Sequence, residues 1–314
     1  MIKLKKPKFW DYKKPNLLSY ILLPFTLPII INNFFLGLKN KNGINQKIKK
    51  ICIGNIYVGG TAKTPLTIRI YQILSNLNFK TVTIKKFYSD HVDEQKLLAQ
   101  KTKLYTLKSR KKALNMAIKD NVDVAIFDDG LQDWSINYDL KFVCFNNKKW
   151  IGNGQLIPAG PLREKVKSIL KYDAVFINGN ENDNSDLKIL IKKYNKDIQI
   201  FETFYKPTNI DQFDIADKYI IFSGIGNPDS FKETLIINNL IIIKEIIFPD
   251  HYEYTQADID NIKLQAKNLN AKILTTEKDF MKINLDKNKD INFLKIELII
   301  KNEEELISFL KLPI

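Results

Sequence analysis

The sequence is poor in the residues that cross-link small proteins or hold structural metals. Its 314 residues include two cysteines, Cys52 and Cys144, and two histidines, His91 and His251. These numbers exclude a disulfide framework and leave too few ligands for a Cys/His structural zinc site. With 45% hydrophobic and 27% charged residues, the composition is that of a chain with a sizeable core, not of a disordered one. The length predicts about two domains.

Arginine is also scarce, and the positive charge is unevenly distributed. Only three of the 49 basic residues are arginine, and +10 of the formal net charge of +14 lies within residues 1–50. A nucleic-acid-binding protein is expected to spread basic and aromatic side chains over one surface. Here the lysines flank an apolar stretch instead, so we expect no nucleic-acid partner.

That apolar stretch, residues 15–38, contains no charged residue. It is long enough to cross a bilayer core of ~30 Å, but Pro24 and Pro28 argue against one straight helix. Lysine-rich sequence follows it, which does not fit a cleaved signal peptide. Lysines on both flanks favour attachment to an anionic membrane surface, by insertion or as an interfacial segment. A buried N-terminal helix pair is the alternative.

Short apolar runs then alternate with helix-length stretches, which predicts βαβ units. The predicted strands include KICIGNI, KTVTIKK, DVAIFDD, LKFVCFN and DAVFING, with TPLTIRIYQILSNL as a helix. A polar linker follows, and a second alternation begins with KYIIFSG and ends with INFLKIELII and the helix EEELISFLKL. The domains predicted are a membrane-associating segment at 1–38, a lobe at 39–204, a linker at 205–217 and a smaller α/β lobe at 218–314.

The first predicted strand and helix are joined by GNIYVGGTAKTP, residues 54–65. Small residues at such a turn let backbone N–H groups approach phosphate oxygens at a helix N-terminus. Lys63 would contact the β- and γ-phosphates, and the Thr64 hydroxyl would ligate Mg²⁺. The usual pattern has glycine where Tyr57 and Ala62 stand, so an ordinary glycine-rich turn is the alternative.

A second pattern favours the nucleotide interpretation. VDVAIFDDG is an apolar strand that ends in two carboxylates, Asp128 and Asp129. A strand-end aspartate holds Mg²⁺, directly or through water, in P-loop sites. Together the two patterns predict an α/β fold with a P-loop NTPase-like, mainly parallel sheet and helices on both faces.

Further runs carry a resemblance to a known family. They are IGNGQLIPAGPLRE (151–164), FSGIGNPDSF (222–231), FPDHYEY (248–254) and TTEKDFMKI (275–283). With these runs the chain resembles the tetraacyldisaccharide 4'-kinases, the lipid A 4'-kinases, from the apolar segment to about residue 283. The resemblance implies ATP- and Mg²⁺-dependent phosphorylation of the 4'-hydroxyl of tetraacyldisaccharide 1-phosphate, in lipid A biosynthesis, at the cytoplasmic face of the bacterial inner membrane. A substrate with four acyl chains stays in the bilayer, which accords with a membrane-associating segment.

The resemblance also implies site residues. The catalytic residues implied are Lys63, Asp93 and His251. Of these, Asp93 and His251 would cooperate in deprotonating the sugar hydroxyl. Asp93 and Glu94 stand at the family's Asp-Glu pair. The metal ligands implied are Thr64, Asp128 and Asp129, and the nucleotide-binding residues are Val58, Gly59, Gly60, Thr61, Ala62, Lys63, Thr64, Pro65 and Arg163. Arg163 would fork onto phosphate oxygens of ATP or of the substrate.

Three departures from the family pattern leave other interpretations open. Ala62 replaces a glycine, KKFYSD (85–90) replaces a Ser-Arg-Gly-Tyr-Gly run, and Asp133 stands where histidine is common. The alternatives are a P-loop kinase or NTPase for another amphiphilic or sugar acceptor, and a nucleotide-binding membrane protein without turnover. Residues 226–228 lie at a predicted strand-to-helix turn of the second lobe and are candidates for a nucleotide-facing loop. Residues 277–279 are weaker candidates, because helix-capping charges explain them nearly as well.

Overall fold

The computed structural model describes residues 6–38, 48–89, 92–179, 184–250, 252–283 and 289–310. Its α-helices are α1 (Leu17–Leu22), α2 (Leu27–Leu38), α3 (Lys63–Asn76), α4 (Val92–Lys101), α5 (Arg110–Lys119), α6 (Ser185–Tyr194), α7 (Pro228–Ile237), α8 (Gln256–Asn268), α9 (Glu277–Phe280) and α10 (Glu303–Phe309). Its strands are β1 (Lys49–Gly54), β2 (Thr81–Lys86), β3 (Leu104–Leu107), β4 (Val124–Asp128), β5 (Leu140–Asn146), β6 (Ala174–Asn178), β7 (Gln199–Pro207), β8 (Lys218–Ser223), β9 (Ile241–Ile247), β10 (Lys272–Thr276), β11 (Ile291–Leu294) and β12 (Ile296–Ile300).

The larger sheet has eight strands in the order β12-β7-β6-β5-β1-β4-β2-β3. The pairs from β7 through to β3 are parallel. β1 and β4 are buried along almost their whole length, as expected of apolar strands covered on both faces. In the register, Ile53 lies beside Asp128, and Lys85 lies beside Asp128 on its other side. The ends of β1, β4 and β2 therefore meet at one edge of the sheet, where ligands bind in open α/β sheets.

The smaller sheet has four parallel strands in the order β11-β10-β8-β9. Its core includes Ile220, Phe222, Ile262 and Ile273 on one side, and Tyr219, Leu235 and Leu274 form a second cluster. α8 begins with a capping box, in which Thr255 and Asp258 satisfy each other's backbone N–H groups. The α/β class with mainly parallel strands is confirmed in both sheets.

The chain forms two compact units. The first unit comprises residues 4–87, 101–204 and 299–314, and the second unit comprises mainly residues 88–100 and 205–298. Two segments differ from the lobes expected from the sequence. Residues 88–100, expected in the first lobe, belong to the second unit, and the last helix, α10, belongs to the first. No local sequence pattern predicts either assignment, because contacts between distant segments depend on the tertiary structure.

INFLKIELII, expected as one strand, is two strands in different sheets. β11 pairs with β10 of the smaller sheet, while β12 lies at the edge of the larger sheet beside β7. β7 ends at Pro207 and a short 3₁₀ helix spans Ile210–Gln212, so the stretch 205–217 is partly regular structure. β3, α6 and β7 are further elements that the sequence analysis did not identify.

The N-terminal apolar stretch is divided into short helices. Asn16 caps α1 by accepting from the Ser19 backbone N–H, a 3₁₀ helix with Pro24 in its first turn spans Leu23–Thr26, and α2 begins at Leu27 with Pro28 in its first turn. This confirms the expectation that the prolines prevent one straight helix. In the part of the chain that the structure describes, no helix has the length and hydropathy needed to span a membrane.

Many apolar side chains of this segment are exposed to solvent. Leu17 is 75% exposed and Phe25 is 64% exposed, and the other exposed side chains are Leu18, Tyr20, Ile21, Leu27 and Ile31. Ile29 and Ile30, by contrast, pack against the core of the first unit. The described part of the segment therefore has one face on the protein and one apolar face in solvent, which differs from the alternative of a buried helix pair.

Candidate active site

The phosphate-loop candidate connects β1 to α3 in the first unit. Gly59 has a φ of 140° and Ala62 a φ of 66°, so both residues adopt left-handed backbone. Glycine adopts this conformation without strain, whereas an alanine there costs about 1–2 kcal/mol. The usual glycine before the lysine thus has a conformational reason. Ala62 adopts the left-handed conformation in spite of its Cβ atom.

Polar side chains brace this loop from inside. Asn55 is buried, and its Nδ2 donates to the Thr61 hydroxyl at 2.9 Å and to the Gly59 carbonyl at 3.3 Å. The Val58 N–H donates to the Pro161 carbonyl at 2.9 Å. Pro65 lies in the first turn of α3, where proline is tolerated because its missing N–H has no helical acceptor.

Asp128, at the end of β4, is completely buried and has three donors around it. Its Oδ2 accepts from the Lys85 ammonium at 2.6 Å and from the Thr64 hydroxyl at 3.1 Å. Its Oδ1 accepts from the Thr67 hydroxyl at 3.4 Å. A buried carboxylate is stable only when paired and hydrogen-bonded, and these contacts satisfy that requirement.

Asp129 is more accessible and faces two cations. Its Oδ1 lies 3.1 Å from Nη1 of Arg163 and 3.7 Å from Nζ of Lys63. Asp129 itself has a φ of 56°, a conformation that aspartate adopts more readily than most residues. The fold thus brings together Lys63 and Thr64, the two aspartates and Arg163, which come from three separate parts of the sequence.

Three residues at this site were missed by the sequence analysis. Lys85 is the first. It could have been noticed as a lysine near the end of a largely apolar strand, in the KKFYSD run that departs from the family pattern. Arg110 is the second, and it donates from Nη2 to the Asp129 carbonyl at 2.5 Å and from Nη1 to Asp133 at 3.2 Å. Gln132 is the third, and it donates to the Asn55 carbonyl at 3.1 Å and to Glu164 at 2.9 Å.

Asp133, one of the departures from the family pattern, has a defined structural role. Burial opposes its ionisation, but hydrogen bonds from Ser135 and the charge of Arg110 outweigh burial, so the pKa of Asp133 is lowered.

Glu164 is buried and accepts from the Tyr172 hydroxyl at 3.1 Å. The thiols of Cys52 and Cys144 are buried and free, and burial raises the pKa of both.

A second group of charged residues lies in the second unit, around Asp93 of α4. Asp93 is 4% exposed, and its Oδ2 lies 3.2 Å from Nζ of Lys278 and 3.5 Å from Nζ of Lys282. Lys278 is also 3.7 Å from Glu94 and 3.4 Å from Asp250. Lys282 donates to Asp279 at 2.9 Å.

Lys278 is therefore surrounded by carboxylates. Burial alone would lower its pKa, but Asp250, Glu94, Asp93 and Asp279 raise that pKa above its ordinary value. Lys278 belongs to the TTEKDFMKI run, which the sequence analysis treated as a weaker candidate. Asp279 of the same run is completely buried and accepts from the Gly224 N–H at 2.9 Å, so it has a bracing role. Residues 226 and 227 directly precede α7, and Pro228 is its first residue.

His251 lies outside the described residues, while its neighbour Asp250 lies within them. Within the described ranges, no cluster of three or more His, Cys, Asp or Glu side chains is arranged to hold a metal ion. The two aspartates and the Thr64 hydroxyl nevertheless offer the hard oxygen atoms that Mg²⁺ prefers. Because Mg²⁺ takes few protein ligands alongside substrate phosphates, this donor set fits the ion.

Comparisons with known proteins agree over nearly the whole chain. A family model described as "Tetraacyldisaccharide-1-P 4'-kinase" matches residues 20–313. The tetraacyldisaccharide 4'-kinase of Pelagibacter ubique is 50% identical over 307 residues, covering 97% of this chain and 96% of the relative. The enzyme of the same name from Rickettsia canadensis is 37% identical over 322 residues, covering 96% of this chain and 95% of the relative.

The fold is also similar to that of a solved structure. LpxK from Aquifex aeolicus, crystallised in complex with ATP, superposes with a TM-score of 0.68 at 22% identity. The superposition covers 93% of this chain and 98% of the solved chain. The two chains therefore share a fold along almost their entire length.

Proposed function

The chain belongs to the tetraacyldisaccharide-1-P 4'-kinase family, and on that premise we propose that it is a kinase that transfers the γ-phosphate of ATP to the 4'-hydroxyl of tetraacyldisaccharide 1-phosphate. This reaction would serve lipid A biosynthesis. We assign the nucleotide to the loop between β1 and α3 and the acceptor chemistry to Asp93 together with His251.

The convergence of cations on the end of β4 is the observation that carries the proposal. Lys63 and Arg163 both approach Asp129, and Thr64 reaches Asp128. Phosphoryl transfer needs positive charge held in place around phosphate oxygens. In this assignment Lys63 and Arg163 bind and orient the phosphates, and the backbone N–H groups of the Gly59–Lys63 loop donate to phosphate oxygens.

Mg²⁺ is part of the proposal because the donor set fits it. Thr64 would be a direct ligand, and Asp129, the more accessible of the two aspartates, would hold the ion or its waters. Bound Mg²⁺ supplies charge neutralisation on the phosphates. Asp128 would orient the Thr64 hydroxyl, from which it already accepts a hydrogen bond.

The acceptor hydroxyl needs a base, and a carboxylate supported by fixed charges is suited to orient one. Two ammonium groups, those of Lys278 and Lys282, lie 3.2 Å and 3.5 Å from the Asp93 carboxylate in the second unit, and opposite charges at such distances stabilise a carboxylate. In the proposed mechanism the Asp93 carboxylate orients and electrostatically supports the imidazole of His251, and that imidazole accepts the proton of the 4'-hydroxyl.

The membrane-facing part of the proposal is supported by the exposed apolar side chains of α1 and the following 3₁₀ helix. Leu17, Leu18, Ile21 and Phe25 are each more than half exposed, and lysines flank the stretch on both sides. An apolar face with basic flanks binds an anionic bilayer surface. We propose that this face places the enzyme at the cytoplasmic face of the inner membrane, beside its acylated substrate.

The activity is tested by transfer of labelled γ-phosphate from MgATP to tetraacyldisaccharide 1-phosphate in detergent. We expect product from the wild type, a loss of about 10²–10³-fold in Lys63→Ala, and a loss of about 10²–10⁴-fold in Asp93→Ala and in His251→Ala. Lys112→Ala, which removes an exposed lysine of α5, is the matched control. ATP binding without product would overturn the assigned acceptor, and phosphorylation of a sugar without acyl chains would indicate a different kinase.

The membrane proposal is tested by sedimentation with anionic vesicles. Ile21→Ser with Phe25→Ser should lower the bound fraction several-fold, because both side chains are largely exposed. Ile237→Ser removes a side chain of the second unit that is 66% exposed and serves as the control. Equal losses in both proteins would show non-specific adsorption instead of a membrane-facing segment.

A further inference from the structure

We propose that the N-terminal segment, residues 6–38, is also a structural part of the nucleotide site, because its contacts through Asn33 and Asn153 hold the backbone that carries Arg163. The inference rests on the phosphate-binding role proposed for Arg163. It goes beyond membrane attachment, since it assigns Asn33 and Asn153 as positioning residues for nucleotide binding.

Asn33 links α2 directly to Arg163. Its Nδ2 donates to the Arg163 carbonyl at 3.0 Å. On the other side of the same residue, the Arg163 N–H donates to the Ile56 carbonyl of the phosphate loop at 2.7 Å. The peptide groups of Arg163 are thus held between the N-terminal segment and the phosphate loop, while its guanidinium reaches Asp129 at 3.1 Å.

Asn153 links the same two parts of the first unit from a buried position. Its side chain is 4% exposed, and its Nδ2 donates to the Ser19 hydroxyl at 2.9 Å and to the Ala159 carbonyl at 3.0 Å. The Asn153 backbone N–H donates to the Trp10 carbonyl at 3.0 Å. One asparagine therefore joins the N-terminal segment to the loop 153–163, which ends at Arg163.

The chain around Asn153 and Trp10 is packed closely enough to make this junction specific. The Trp10 indole N–H donates to the Pro158 carbonyl at 3.0 Å. Gly152 has a φ of 56°, and a Cβ built on it would lie 2.1 Å from the Trp10 carbonyl oxygen. Only glycine permits that approach, so the segment docks on the loop by backbone contact.

The loop in turn pairs with the phosphate loop. Tyr57 and Leu162 form an antiparallel bridge, and the Val58 N–H donates to the Pro161 carbonyl at 2.9 Å. A guanidinium binds phosphate tightly when its backbone is already fixed, because less freedom is lost on binding. The outer face of the segment is exposed and apolar, and its inner face fixes Arg163.

The test uses full-length protein with a readout of ATP binding that does not require turnover, such as displacement of a fluorescent ATP analogue. Asn33→Ala should weaken ATP binding by about threefold to tenfold, the size of one lost hydrogen bond. Asn153→Asp, which removes the Nδ2 donor at nearly constant shape, should weaken it by about tenfold or more. Asn32→Ala, a change at the exposed neighbour of Asn33 on α2, should leave ATP binding unchanged.

Kinetics separate a positioning role from general damage. In Asn33→Ala the KM for ATP should rise by the same factor as the dissociation constant, while the KM for the lipid acceptor and the sedimentation with vesicles stay at wild-type values. If Asn153→Asp fails to fold, Asn33→Ala alone decides the question, since Asn33 lies on a partly exposed helix.

Arg163→Ala provides the reference for both possible failures. If Arg163→Ala weakens ATP binding and Asn33→Ala does not, the inference is overturned while the proposed function stands. If Arg163→Ala leaves ATP binding unchanged, the role proposed for Arg163 is overturned and this inference with it. Parallel losses in Arg163→Ala and Asn33→Ala, with Asn32→Ala unaffected, support it.

Discussion

Each unit of the protein contains a buried aspartate neutralised by lysine, and the two pairings arise differently. In the first unit, Lys85 lies directly beside Asp128 in the register of adjacent parallel strands, with Nζ 2.6 Å from Oδ2. In the second unit, Asp93 on α4 is neutralised by Lys278 and Lys282, almost two hundred residues later in the chain. The first pair is set by sheet register and the second by tertiary folding.

The two aspartates differ in the number of cations that pair with each carboxylate. The Asp128 carboxylate accepts from one ammonium group and two threonine hydroxyls, and in the described part of the chain Lys85 is the cation that pairs with it. Asp93 has two ammonium groups, and each of these also serves other carboxylates. Replacing Lys85 should therefore lower the free energy of unfolding strongly. Replacing one of the two lysines at Asp93 should lower it less.

The largest expected effect is that of Lys85→Met. Leaving Asp128 as a buried, uncompensated charge should lower the free energy of unfolding by about 3–5 kcal/mol, measured by urea denaturation. Lys86→Met, at the partly exposed next position of β2, should change it by less than about 1 kcal/mol. A loss below about 1 kcal/mol in Lys85→Met would mean that the two threonine hydroxyls stabilise Asp128 without a cation, and it would contradict the expected sensitivity of this pair.

Lys278→Met should have a smaller effect, a loss of about 1–3 kcal/mol, because Lys282 still neutralises Asp93. The double variant Lys278→Met with Lys282→Met should lose more than the sum of the two single variants. Lys263→Met removes a pair with the exposed Asp290 in the same unit and should cost about 1 kcal/mol or less. Additive single losses would contradict the sharing of Asp93 between two cations.

The pH dependence of unfolding in Lys278→Met tests the carboxylate environment of Lys278. The pKa of Lys278 is raised above its ordinary value of 10.5 in the folded protein. The stability that this group contributes is therefore fully present below the unfolded pKa and is lost as pH rises through the folded pKa. The difference in unfolding free energy between wild type and Lys278→Met should be constant up to about pH 10 and shrink at higher pH. A difference that stays constant in alkali would contradict the carboxylate environment of Lys278.

The smallest expected effect is the change in stability when a residue with left-handed backbone is replaced by glycine, once in each unit. Ala62 in the phosphate loop and Asn239 after α7 have φ values of 66° and 62°. Ala62→Gly should stabilise the protein by about 1 kcal/mol, whereas Asn239→Gly should gain only a few tenths, because asparagine tolerates this conformation. Thermal unfolding of the two variants side by side measures the difference, and equal gains would show that Ala62 carries no special strain.

The repeating pattern of strands and helices was readable because apolar runs and amphipathic stretches are local. KICIGNI, DVAIFDD and LKFVCFN are strands at or near their expected positions, and the fold class is confirmed in both sheets. The failures have a physical reason as well. INFLKIELII has one continuous apolar pattern, yet its two halves pair in different sheets, and no property of the run itself specifies a partner strand.

The candidate site could also be predicted in part from local sequence runs. The phosphate-loop residues and the acidic pair stood in recognisable local runs, and the structure brings Lys63, Thr64, Asp128, Asp129 and Arg163 together. Lys85, Arg110 and Gln132 were not identified, because a single polar residue on a strand, helix or loop carries no motif. The roles assigned to Asp93 and His251 remain predictions.

The general alternation of strands and helices, the interruption of the apolar segment at its prolines, and the family all follow from the sequence alone, because each depends on neighbouring residues or on motifs in a fixed order. Which charges meet depends on the tertiary structure. It placed α4 in the second unit, α10 in the first, Lys85 against Asp128, and Asn33 against Arg163. Such contacts join residues that are distant along the chain, and packing of the whole fold is what brings them within hydrogen-bonding distance.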